Sequence, residues 1–80
     1  MRALVIEDDN ILREQVTKMF ADEGFAVDQA ADGENGLYMA TEYPVDIAIV
    51  DLGLPGESGI EIIRKARKSG RSFPILILTA

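Results

Sequence analysis

The chain has 80 residues, 48% hydrophobic and 28% charged, with a formal net charge of -6. So short a chain forms one small domain at most, and its acidity argues against direct nucleic-acid binding by this segment. Cysteine and histidine are both absent, which removes disulfides, thiol chemistry, the usual zinc sites and Ser-His nucleophiles, leaving carboxylates, hydroxyls, lysine or a hard metal.

The N-terminal stretch "MRALVIEDD" has only a four-residue apolar run before three acids, so it does not read as a signal peptide. No apolar stretch approaches the ~20 residues that would span a bilayer, and a cytoplasmic location is expected by default. Ala3 to Ile6 is short and wholly apolar, as a strand buried on both faces is. Leu12, Val16, Met19 and Phe20 then recur at helical spacing, which predicts a first helix from about Asn10 to Glu23, capped by Asp9 and stopped at Gly24. Phe25 to Ala30, more mixed in character, reads as an edge strand.

A second helix is predicted from about Gly33 to Glu42, with Asp32 as cap, Leu37 and Ala40 inward, and Tyr43-Pro44 ending it. Ile47 to Val50 is again a buried strand. Ser58 and Glu61 have the spacing of a capping box for a third helix, whose Ile60, Ile63 and Ala66 are expected to face the core. Positive charge over Arg64 to Lys68 and a stop at Gly70 complete it. Ile75 to Leu78 is the last strand. The order β-α-β-α-β-α-β with short connections predicts an open, doubly wound parallel α/β sheet, and such sheets bind ligands outside the carboxyl ends of their strands.

Those ends hold Glu7, Asp8 and Asp9 after the first strand, Asp51 after the third and Thr79 after the fourth. With the order 2-1-3-4, Asp8 and Asp51 become neighbours. Two carboxylates roughly 5 Å apart repel by ~3 kcal/mol at an effective dielectric near 20. A shared proton or a divalent cation offsets that, and an all-oxygen ligand set suits Mg²⁺. Asp51 would then be a ligand and, with a free oxygen, a candidate nucleophile toward a phosphoryl group, although an aspartate at a strand end before a Pro/Gly loop is more often a turn or cap residue.

"LVIEDD", "IAIVDLGLPGESG" and "PILILTA" together resemble the receiver domain of bacterial two-component response regulators. The wording is closest to the transcription-factor class with winged-helix output domains, of the PhoP and QseB kind. The resemblance covers all 80 residues in order and spacing. It implies a flavodoxin-like fold in which the residue at Asp51 accepts a phosphoryl group from a histidine kinase. Glu7 and Asp8 would hold Mg²⁺ with help from the Gly53 backbone carbonyl, and Thr79 would be the switch hydroxyl that reports the phosphoryl group. Such a domain is a signalling acceptor rather than an enzyme.

A complete receiver continues with two more helices and a fifth strand ending in a lysine, so residues 1–80 read as the N-terminal two-thirds of a receiver, cut after the fourth strand and impaired in signalling. Its fourth strand would be an apolar edge, and a homodimer through that edge is expected. Three other readings compete. A haloacid-dehalogenase-type phosphohydrolase would want a second aspartate at position 53, which is Gly. A nucleotide or flavin binder would want glycines where "EDDN" stands. An inert, self-associating folding fragment or engineered half-domain would not respond to Mg²⁺.

Overall fold

The computed structural model describes residues 1–78. The elements run β1 (Arg2–Ile6), α1 (Asn10–Asp22), β2 (Ala26–Ala30), α2 (Gly33–Glu42), β3 (Ile47–Asp51), α3 (Gly59–Lys68) and β4 (Ile75–Leu78). The strands form one parallel sheet in the order β2-β1-β3-β4, as expected for the doubly wound, flavodoxin-like arrangement. β1 and β3 are the central pair, registered Ala3 to Ile47 through Ile6 to Val50.

Alternation along these strands sorts the core into two layers. Ala3, Val5 and Ile49 face Val16 of α1. Leu4, Ile6, Ala48 and Val50 face the other way, onto Ala40 of α2 and onto Ile62 and Ala66 of α3. Fully burying a side chain such as Ile62 contributes roughly 1.5–3 kcal/mol, and most of the fold's stability lies in this second, larger layer.

The helix ends follow their chemistry. Asp9 Oδ1 accepts from the N–H groups of Ile11 at 2.9 Å and Leu12 at 3.1 Å, and Asp32 Oδ1 accepts from Asn35 N at 2.8 Å. Each such cap is worth about 1 kcal/mol. Gly24 and Gly70, with φ of 95° and 94°, supply the left-handed residue after α1 and α3. The Ser58 cap is half of the expected box: Ser58 Oγ accepts from Glu61 N at 3.2 Å, while the Glu61 carboxylate pairs with Arg64.

One predicted face is corrected. In α3 the buried positions are Gly59, Ile62 and Ala66, while Ile60 is 47% exposed. The helix phase is set at Gly59, where a Cβ would come 2.8 Å from Leu52 Cα and 3.0 Å from Asp51 C, and this turns Ile60 outward. In α1 only Val16 is buried and Phe20 is partly so, while Leu12 and Met19 are exposed. Among the described residues no second helix shares that side of the sheet, so part of the apolar stripe has nothing to cover it.

Candidate acidic metal site

The carboxyl ends of β1 and β3 lie side by side because these strands pair in register. Glu7 follows β1 directly, and its N–H donates to Ala30 O at 3.1 Å, which extends the ladder with β2 by one residue and fixes its backbone. Arg13 of α1 donates to the Glu7 carbonyl at 3.0 Å. Asp51 ends β3, and its Oδ1 accepts from Gly53 N at 3.1 Å, a short turn that orients the carboxylate.

Glu7, Asp8 and Asp51 each present a carboxylate oxygen within 4.8 Å of the other two. They differ in exposure: Glu7 is buried, Asp51 half-buried and Asp8 exposed. Burial pushes the Glu7 carboxyl well above its ordinary 4.5, to about 7, with the Asp8 and Asp51 carboxylates acting in the same direction and the Asp9 N–H opposing them. That N–H donates to Glu7 Oε2 at 3.2 Å. Three acids, one of them desolvated, make a cluster that a proton or a cation must stabilise. Oxygen donors alone, one buried and one open to solvent, suit a hard divalent ion that retains water.

A family model described as "Response regulator receiver domain" matches residues 3–80. The chain belongs to the response regulator receiver family. It is 49% identical over 80 residues to the two-component response regulator PhoP of Pseudomonas aeruginosa, covering all of this chain and 36% of that protein. It is 48% identical, with the same coverage, to the transcriptional regulatory protein PhoP of Escherichia coli. The chain thus spans about a third of the length of these curated relatives. Among solved structures it resembles a response regulator from Burkholderia pseudomallei with a phosphorylated aspartic acid, calcium ion and citrate. The TM-score is 0.87 at 28% identity, over 98% of this chain and 46% of that one.

Set against the expectations for a receiver, the fold brings Glu7, Asp8 and Asp51 together, while Asp9 spends its carboxylate on the α1 cap. Gly53 stands exposed in the loop two residues past Asp51. Thr79, the expected switch hydroxyl, lies outside the described residues. Sequence reasoning missed Arg13, whose guanidinium also meets Gln29 Oε1 at 3.3 Å and Asn10 Oδ1 at 2.7 Å. Its one sequence signal was its place four residues after Asp9. It also missed the close backbone approaches at Gly33 and Gly59, which no local pattern encodes.

Proposed function

We propose that this receiver takes a phosphoryl group from a histidine kinase onto Asp51, with Mg²⁺ held by Glu7, Asp8, Asp51 and the Gly53 carbonyl. We assign the reporting hydroxyl to Thr79, which follows Leu78 in sequence. The event would control a DNA-binding transcriptional output not among these 80 residues, in the cytoplasm, with the chain acting as acceptor rather than enzyme. The observation that carries this reading is the meeting of three carboxylates within 4.8 Å at the carboxyl edge of the sheet. Among the described residues no helix is long and apolar enough to cross a membrane.

The Gly53 N–H holds Asp51 Oδ1, so Oδ2 is the attacking atom. It forms a bond to phosphorus as the donor's P–N bond breaks, and the electron pair leaves on the imidazole nitrogen. Mg²⁺ held by Glu7, Asp8 and Asp51 would supply the positive charge that offsets charge on the transferring oxygens. Glu7 must lose its proton for all three carboxylates to serve as ligands, and burial keeps it beside Asp51 without a competing solvent shell. Intact mass after exposure to acetyl phosphate tests the reading: one phosphoryl adduct is expected with Mg²⁺ and none with a chelator. Absence of the adduct in both would leave an inert fragment as the better account.

For the 80-residue chain we also propose a two-fold dimer through β4. Leu76 and Ile77 are 51% and 49% exposed, and their register partners Ile49 and Val50 belong to opposite layers of the core. Such an edge, apolar on both faces, is one that natural sheets avoid leaving open. Symmetry makes the β4–β4 pairing antiparallel. Light scattering should give a dimer at tens of micromolar, and Ile77→Pro, at a position whose N–H alternates away from β3, should give a folded monomer. A dimer indifferent to Ile77→Pro in folded protein rules this edge out.

A further inference from the structure

The loop between β3 and α3 carries Gly53 and is held from outside itself. At its base Gly59 N donates to Leu52 O at 3.3 Å, and the missing Cβ of Gly59 lets α3 rest against Asp51 and Leu52. In its middle Leu54 is buried in the core. At its far end the Glu57 side chain is tied to Lys65 at 2.9 Å, and the Glu57 backbone rests on another helix. A Cβ built on Gly33, the first residue of α2, would overlap the Glu57 carbonyl oxygen and come 2.7 Å from both the Glu57 carbonyl carbon and its Cβ.

One turn further along α2, a Cβ on Gly36 would come 2.7 Å from Ile6 Cγ2, and Ile6 directly precedes Glu7. α2 therefore touches two segments that belong to the site: through Gly36 the end of β1, which leads into Glu7 and Asp8, and through Gly33 the β3–α3 loop, which follows Asp51 and carries Gly53. We infer that Gly33 is a positioning residue for the site, setting where the loop that carries Gly53 lies relative to Glu7 and Asp8. Gly33 reaches no carboxylate itself. It acts because backbone meets backbone there, and a carbonyl cannot step aside as the end of a flexible side chain can.

This inference rests on the Mg²⁺ site proposed above, and the test separates the two. Gly33→Ala and Gly24→Ala are compared with the wild type. Gly24, at the C-terminus of α1, has a positive φ and nothing within 4 Å of an added Cβ, so alanine there is strained without touching the loop.

In metal-free protein, Gly33→Ala is expected to move the ¹⁵N–¹H resonances of Gly53, Leu54, Gly56, Glu57 and Ser58, and Gly24→Ala to leave them in place. In calorimetric titration, Gly33→Ala should weaken Mg²⁺ binding by about tenfold or more, and Gly24→Ala should leave it within about twofold even where both lower the melting temperature equally. A Gly33→Ala protein with wild-type Gly53 resonances and wild-type Mg²⁺ affinity overturns the inference. If Gly33→Ala does not fold, the wild type decides by reciprocity: Mg²⁺ must shift the Gly33 amide, and an unmoved Gly33 overturns it. A wild type that binds no Mg²⁺ defeats the proposed site, while the metal-free resonances still judge the role of Gly33.

Discussion

Asp51→Asn is expected to abolish the acyl-phosphate adduct formed from acetyl phosphate and Mg²⁺. The amide keeps the shape of the side chain and an oxygen for the Gly53 N–H, but it has lost the anionic oxygen that attacks phosphorus. Folding should survive, because Asp51 is only half-buried and its strand is held by Ile49 and Val50. Asp8→Ala acts at a different point. It removes an exposed carboxylate from the three-acid cluster and should lower Mg²⁺ affinity by more than about tenfold.

Asp9→Ala is the control that makes this decisive. Asp9 is adjacent in sequence and equally charged, yet its Oδ1 is committed to the Ile11 and Leu12 N–H groups. Its loss should cost about 1 kcal/mol of helix stability and little Mg²⁺ affinity. Calorimetric titration of the two variants, with mass spectrometry on Asp51→Asn, checks all three. Equal loss of Mg²⁺ affinity from Asp8→Ala and Asp9→Ala would contradict the assignment, as would an adduct that persists in Asp51→Asn.

Strand positions and sheet order were legible because a short, wholly apolar run such as Ala3 to Ile6 fits only a strand covered on both sides, and the chain contains three. The acidic cluster followed from that order alone: once β1 and β3 are neighbours, Glu7, Asp8 and Asp51 must meet. Helix caps were legible for a similar reason, since Asp9, Asp32 and Ser58 act on N–H groups two or three residues away.

Helix faces were less legible. In α3 a periodicity of isoleucines offered two phases, and the choice between them is made by Gly59 against the β3 backbone, a contact with no trace in the local pattern. In α1 the stripe of Leu12, Val16, Met19 and Phe20 was real, but only Val16 and Phe20 found a surface to pack against. Gly33 reads in sequence as an ordinary residue after a cap. Its approach to Glu57 spans 24 positions and appears only when α2 and the β3–α3 loop are folded together. Long-range backbone contacts of this kind hold the site, and single-sequence patterns do not record them.

Removal of Glu7 should change how metal-free stability depends on pH. In the folded chain the Glu7 carboxyl is raised from 4.5 to about 7, first by burial and then by Asp8 and Asp51. Between those two values the folded state holds a proton on Glu7 that the unfolded state has released. Stability therefore falls as pH rises through this window, and above about 7 the full penalty of a buried anion is present. A buried anion at Glu7 therefore works against folding in this window, and so small a domain has little stability to spare.

Glu7→Gln keeps the volume and carries no charge, so it should be more stable than the wild type at pH 8 in the presence of a chelator and nearly equal to it at pH 4. Mg²⁺ should reverse the ranking: the wild type gains stability from the ion at pH 8, and the variant, short of one ligand, gains much less. Urea unfolding followed by far-UV circular dichroism, at both pH values with and without Mg²⁺, measures each comparison. Parallel pH profiles for the two proteins in chelator would mean that the Glu7 proton is not held by the fold, and the electrostatic account of the cluster would fail with it.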